Sequence, residues 1–454
     1  MPEAPVKLYV DRLLKDSRSL AKQLALLSGP AKEKALCAMA DSLAADGVTI
    51  LEANAKDVDA VGKSFEGEAK RDRIKAAVER VRLSKDDITL MSERLRLIAE
   101  LPDPVGNSTA RWERPDGLQV SRVRIPIGVI GVISELSPLV TVESLALCLK
   151  SGNLCVFRGA SEWRWTNKAL ESVLHEAAEQ SGLPQNIWIF VERPEKEVAL
   201  EIIRSGRHLD AIVPRGGMGL RNVVVEQAKV PVLCHEGGLT CLYIDGETDV
   251  PMAQNLVINS KAQSVSAPNA LDTLLVHQGI GRQFLPPLIN RLLNEFKIEV
   301  RGCPKTVALM GQMAMTGHTA IVPATEADWK TQFLGPVLAI KMVEKFDEVL
   351  EHLMAHGPCL TAGIATASYH SAMRFSRDVD AGAVLVNASL RLNAGECYGM
   401  GPDIGLSAAR LHAKGPIGLE QLTCEKYVVF GAGQLRLPHP VPETYFDAIM
   451  LKRP

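Results

Sequence analysis

The sequence predicts an α/β protein with two doubly wound parallel sheets behind a helical lead-in. Three observations carry that expectation. Apolar residues over 8–60 recur at helical spacing (Leu13, Leu14, Leu20, Leu24, Leu36, Met39, Leu43, Ile50), and 68–100 continues the pattern. From Gly117 the period changes: Leu118, Val120, Arg122 and Arg124 alternate as a half-exposed strand, and the run PIGVIGVI at 126–133 reads as a buried one. Beyond it, strand and helix patterns alternate along the chain, which argues for parallel sheets with a ligand crevice at the carboxyl ends of the strands.

Taken in order, Thr141–Lys150 reads as a helix, 154–157 as a strand, 165–180 as a helix, 187–191 as a strand and 196–205 as a helix. A strand at 211–213 leads into the glycine turn PRGG at 214–217, which opens a helix whose amides can hold an anion. Strands are expected again at 231–233 and 241–244. A second α/β block starts near Val250, with strands at 271–276, 337–342, 364–366 and 383–386 and helices at 284–296 and 347–356. The tail GLEQLTCEKYVVFG reads as a late strand.

Composition narrows the function. The chain has 454 residues, 46% of them hydrophobic, enough for two or three packed domains. Lys and Arg number 51 against 53 Asp and Glu, a net charge of −2, with no long basic run, so nucleic-acid binding is not expected. The amino terminus carries charges where a signal peptide needs an apolar core, and the most apolar run, 125–133, is too short to span a bilayer. A cytoplasmic protein without a membrane partner is expected. The nine cysteines form no C-x-x-C pair and the histidines no H-E-x-x-H, so no metal site is indicated. Cys148 and Cys155 lie in apolar runs and read as buried thiols, and Cys303 reads as a surface-loop thiol.

The most informative stretch is Asn259–Thr273, NSKAQSVSAPNALDT, a helix end and a polar loop that re-enters a buried strand. With PIGVIGVISE at 126–135, VTVESLALCLKSGN at 140–153, RG at 158–159, PRGG at 214–217, VNAS at 386–389 and LHAKGPIGLEQLT at 411–423, it resembles γ-glutamyl phosphate reductase, a proline-pathway branch of the aldehyde dehydrogenase superfamily. The resemblance runs from about Leu43 to Gly431, with Asn259, Lys261, Gln263, Ser266, Asn269 and Thr273 in register. It implies an aldehyde dehydrogenase-like fold. A cofactor-type domain would span 1–246, completed by about 406–454, and a catalytic-type domain 247–405. The tail and the segment near Val120 would form a small oligomerising sheet. It implies NADP(H) as cofactor and a homo-oligomer, dimer or tetramer, with a glutamate kinase or an active paralogue as possible partner.

The resemblance also implies a chemistry: a thiolate attacks the acyl phosphate and expels phosphate, donors hold the oxyanion, and hydride from NADPH frees glutamate semialdehyde. Four positions depart from that scheme. Pro268 stands where the family has its cysteine, and proline has neither thiol nor labile proton. Leu139 replaces an asparagine facing the oxyanion, and Ser137 an arginine in the same turn. Ser161 replaces a lysine expected at the ribose or phosphate of the dinucleotide, with bulky Trp163 and Trp165 nearby. Gln332 replaces a glutamate that holds the nicotinamide ribose. The cofactor-type residues expected by resemblance are Arg158, Gly159, Ser161, Arg215, Gly216, Gly217 and Gln332. Those expected for a substrate-type anion are Asn269 and Arg391, the latter beside the glycine loop GECYGMG.

The expectation is a relative whose reductase chemistry is lost and whose cofactor binding is weakened, acting by binding a ligand or a partner. One alternative is an active NADPH-dependent reductase using another thiol, with Cys234 beside His235 as the candidate pair; Ser264 and Ser266 have no identifiable base. Another is an enzyme of new specificity for a carboxylate substrate.

Overall fold

The computed structural model describes residues 5–65, 71–233, 238–314 and 321–436. Among them the strands are, in chain order, β1 (Ser108–Glu113), β2 (Gln119–Pro126), β3 (Val129–Ser134), β4 (Leu154–Arg158), β5 (Trp188–Phe190), β6 (Ala211–Arg215), β7 (Leu239–Ile244), β8 (Thr273–His277), β9 (Glu299–Gly302), β10 (Val322–Pro323), β11 (Val337–Val343), β12 (Cys359–Ala365), β13 (Ala381–Val386), β14 (Leu406–Ser407), β15 (Gly415–Pro416) and β16 (Thr423–Phe430).

The lead-in is helical as expected, with helices at Val6–Leu14, Ser17–Leu24, Gly29–Ala45, Gly47–Ser64, Arg71–Val81 and Lys85–Glu100. Their apolar stripes pack with the first parallel sheet into one core that includes Leu14, Leu36, Met39, Leu43, Ile98, Ile130, Val156 and Ile212. That sheet has the order β5-β4-β3-β6, all parallel. The chain runs outward from β3 to β5 and then crosses to β6, so the order reverses between β3 and β6.

The second sheet is seven-stranded and parallel throughout, in the order β10-β9-β11-β8-β7-β12-β13. Successive residues of its central strands serve opposite faces. Leu242, Ile244, Leu274 and Val276 enter one apolar cluster, whereas Cys241, Tyr243 and Leu275 enter the other. Strand β7, which precedes the expected domain boundary at 246/247, is bonded between β8 and β12, so the change of sheet falls between Arg215 and Leu239. The stretch 231–233 is not a strand; only Val232 makes a bridge, to Ile212. The tail strand β16 pairs antiparallel with β2, Val429 opposite Val120, in a three-stranded sheet with β1.

One cap matters to the site. Asp57, on the helix Gly47–Ser64, accepts the backbone N–H of Trp165 (3.1 Å) and of Thr166 (2.8 Å) and the Thr166 hydroxyl (2.6 Å), holding the first turn of the helix Arg164–Gln180 in place. Asp57→Ala leaves those donors buried without an acceptor. It should cost about 2 kcal/mol in unfolding free energy by urea titration.

Candidate functional site

The two sheets present opposite ends to the site. The four-stranded sheet offers the carboxyl ends of its strands, as parallel-sheet logic predicts. The seven-stranded sheet offers amino ends: Gly238 precedes β7, Pro268 and Asp272 precede β8, Gln332 precedes β11 and Pro358 precedes β12. A cleft of about 370 Å³ joins the two. Its walls include Met218, at the start of the helix that follows β6, and Gly238, Lys330, Gln332, His356 and Pro358.

At the amino-end wall the ring of Pro268 is exposed while its carbonyl is bonded inward, accepting from Gln332 Nε2 (3.0 Å) and Thr240 Oγ1 (3.4 Å). Gln332 Nε2 also reaches the Gly238 carbonyl at 3.4 Å. The amide of Gln332 is thus spent on the backbone of two loops. Asn269 Nδ2 donates to the carbonyls of Asn393 (2.8 Å) and Arg391 (3.3 Å), and Arg391 Nε donates to Gln263 Oε1 (2.8 Å). The structure therefore brings Pro268, Gln332, Asn269, Arg391 and Gln263 into one network. Ser389 completes it, donating to Asn259 Oδ1 at 2.5 Å.

The sequence reasoning missed the group that pins this loop. Asp272 is buried, and its carboxylate accepts N–H groups from Thr240 (3.1 Å) and Phe333 (3.0 Å), tying β7 and the Gln332 segment to the start of β8. Burial pushes its carboxyl up to about 6, against those two N–H groups and the nearby Lys261. Lys261 is itself fully buried; its Nζ has no hydrogen-bond partner and lies 5.9 Å from the Phe333 ring centroid. Burial pulls its ammonium down to about 8.

On the carboxyl-end side, a narrow crevice opens after β4 and β5, lined by Gly159, Ala160, Ser161, Arg164, Asn167, Lys168 and residues 190–194. Gly159 is required by contact: a Cβ there would lie 2.5 Å from Asn167 Nδ2. Arg158 is almost buried, donating to the Pro194 carbonyl at 2.6 Å. Trp163 is packed away with Val81 and Ala160, whereas Trp165 is exposed under the Arg164 guanidinium. Arg215 ends β6, a Cβ on Gly216 would meet Glu135 Oε2 at 2.7 Å, and Gly217 is the N-cap of the helix Met218–Gln227 with open space before it.

Leu139 lies in the first turn of the helix Pro138–Lys150, packed against the core rather than offering a donor, and Ser137 caps that helix without a side-chain bond. One turn on, Glu143 stands 3.5 Å from Arg94, which also pairs with Glu396 of the glycine loop. Burial pushes the Glu143 carboxyl up to about 7, against Arg94 and Arg215. The folded protein therefore holds a proton that the unfolded chain releases near pH 4. This contribution to stability is fully present below that pH and is lost as pH rises through 7. Glu143→Gln should flatten the pH dependence of the unfolding free energy between pH 4 and 8 by up to ~3 kcal/mol, measured by calorimetry across that range.

Two expected positions have other outcomes. Cys234 and His235 lie outside the described residues. Cys303 is buried, not a loop thiol. It directly follows β9, packed with Trp329 and Ala339, and its Sγ accepts from Met342 N at 3.4 Å. Cys148, Cys155, Cys241 and Cys359 are also buried and Cys37 is half-buried, leaving Cys397 and Cys424 as the exposed thiols among the described residues. No described helix is long and apolar enough to cross a membrane.

The family profile described as the aldehyde dehydrogenase family matches residues 10–307 and 319–418. Gamma-glutamyl phosphate reductase of Heliobacterium modesticaldum is 41% identical over 422 residues, 93% of this chain and 97% of that protein. The enzyme of the same name from Moorella thermoacetica is 42% identical over 420 residues, 92% of this chain and 97% of its own. The crystal structure of gamma-glutamyl phosphate reductase from Thermotoga maritima superposes with a TM-score of 0.86 at 38% identity, covering 94% of this chain and 99% of that one.

Proposed function

Because the chain belongs to the aldehyde dehydrogenase family and stands among its gamma-glutamyl phosphate reductases, we propose that it keeps the scaffold and its anion-holding crevices while its reductase chemistry is lost. It acts by binding a ligand or a partner. The observation that carries the reading is Pro268, the residue at the family's nucleophile position. Its ring offers no electron pair for attack on an acyl phosphate, and its carbonyl is bonded into the scaffold by Gln332 and Thr240. Leu139 supports the same reading, since an apolar side chain packed on the core donates nothing to an oxyanion.

The residues after β4 and β5 fit a phosphate-bearing nucleotide. Gly159 leaves room that a Cβ would fill, and the buried Asn167 Nδ2 has no partner. A nicotinamide dinucleotide supplies hydride chemistry in this family. Here Ser161 and Arg158 would stand at its adenosine end and Gly216 and Gly217 at its pyrophosphate, while Gln332, turned onto the backbone, leaves the nicotinamide end without its ribose acceptor. NADP(H) binding is correspondingly weakened. The outer edge of β16, with Tyr427 and Phe430 exposed, supports homo-oligomerisation through that sheet, and a biosynthetic-enzyme ancestry supports a cytoplasmic location. The test is an assay of purified protein with glutamate semialdehyde, phosphate and NADP. No NADPH should form, and turnover at rates typical of enzymes, about 10 per second, would defeat the reading.

A further inference from the structure

Lys330 closes a short 3₁₀ turn, Asp328–Lys330, ahead of β11. The turn is held from below. Asp328 accepts the backbone N–H and the hydroxyl of Thr325 (2.7 and 2.9 Å) and pairs with Arg301 at 2.5 Å, while Trp329 is buried against Cys303 and Ala339. The Lys330 side chain is exposed on the cleft between the two sheets and makes no ion pair among the described residues.

His356 follows the helix Phe346–Ala355 and lines the same cleft, half-buried. Its ring centroid lies 4.2 Å from that of His352, one helical turn earlier, and His352 meets Trp329 at right angles with centroids 5.5 Å apart. Behind them Lys341 Nζ donates to His352 Nδ1 at 3.2 Å. One stack of three rings therefore supports both cleft-facing groups, Lys330 being the chain neighbour of Trp329. No third metal ligand joins the two histidines among the described residues. His356 Nδ1 is buried without a partner, which leaves Nε2 as the ring's donor.

The charges around this cleft are unequal. Gln332 is neutral where the resembled family has a glutamate, and no acidic side chain lines the cleft among the described residues. Burial first, then Lys341, holds the His356 imidazole below its ordinary value; the Glu326 carboxylate opposes them and Lys330 adds a smaller push in their direction. At neutral pH the wall offers one full positive charge from Lys330 and one N–H from a neutral imidazole.

We propose that Lys330 and His356 form an oxyanion subsite in this cleft, which takes the carboxylate or phosphate end of a small ligand. Lys330 supplies a point charge and His356 a directed hydrogen bond. The substitution at 332 turns a wall suited to ribose hydroxyls into one suited to an anion. This deepens the ligand-binding reading given above and rests on it.

The experiment is titration calorimetry of the full chain at pH 7 with succinate, with inorganic phosphate, and with succinamide as the uncharged control. The tighter of the two anions identifies the head group. It should bind at least about tenfold more tightly than succinamide, the worth of one charge-assisted contact. Lys330→Gln should erase that preference. His356→Phe, which keeps a ring against His352 and removes the donor, should weaken the tighter anion and leave succinamide unchanged, with thermal melting confirming that both variants fold. Heat from neither anion would overturn the subsite, as would equal affinity for anion and amide, or a preference that survives Lys330→Gln. Each of these failures leaves the loss of reductase chemistry standing, because the turnover assay above decides that separately.

Discussion

Pro268→Cys alone should leave the protein without measurable reductase turnover, whereas Pro268→Cys combined with Leu139→Asn and Gln332→Glu should restore a detectable rate. The magnitudes decide the order of effects. Removing a nucleophile costs on the order of a million-fold, and one oxyanion donor about 100- to 1000-fold. A thiol restored at 268 still lacks an oxyanion donor from position 139, where the leucine packs against the core. It also stands beside a Gln332 amide bonded to the carbonyls of 268 and 238. Glutamate at 332 cannot donate to those carbonyls, so its carboxylate is turned toward the cleft, where a ribose hydroxyl would lie. Single-turnover measurements with the acyl phosphate would separate thioester formation, which needs residues 268 and 139, from hydride transfer, which needs 332.

Lys261→Met should stabilise the fold. The ammonium is fully buried with no hydrogen-bond partner, and burial draws it down to about 8. The native state therefore loses a proton that the unfolded chain keeps until about pH 10.4, the ordinary lysine value. The penalty is in full force below pH 8 and is relieved as pH rises toward the unfolded value. Methionine fills the same space without a charge, so unfolding at pH 7 should require about 3 kcal/mol more in the variant, with the advantage shrinking above pH 8. Part of the gain is returned by Asp272, which loses a nearby cation and is itself held up near 6. Denaturant titrations at pH 7 and pH 10 check both the sign and the pH dependence. A protein equally stable with methionine at both values would mean that Lys261 is neutral or solvated in the fold.

The long parallel strands were legible because their apolar runs are continuous. Leu154–Phe157 and Val337–Met342 were located within a residue or so of β4 and β11. β9 was not, since Glu299 and Arg301 break its pattern and its neighbours β10 and β11 come later in the chain. At 231–233 the apolar stretch predicts a strand, whereas the fold gives it one isolated bridge to β6, at Val232. The loop at 259–273 was legible through its resemblance; the role of Asp272 was not, because its partners lie at 240 and 333. Cys303 misled for a related reason: a Gly-Cys-Pro turn looks exposed in sequence, yet the thiol directly follows β9 and is buried. Asn167 and Arg164 gave no signal at all, being polar residues in an ordinary amphipathic helix until the fold set them over a crevice.

The central claim is that no side chain of this protein takes an acyl group from an activated carboxylate. Intact-mass spectrometry after incubation with γ-glutamyl phosphate, freshly generated and quenched in acid to preserve thioesters, reads that directly. The protein should emerge at its unmodified mass. A glutamyl-sized increment, mapped by proteolysis to any residue, Cys234 and Cys397 included, would contradict the account.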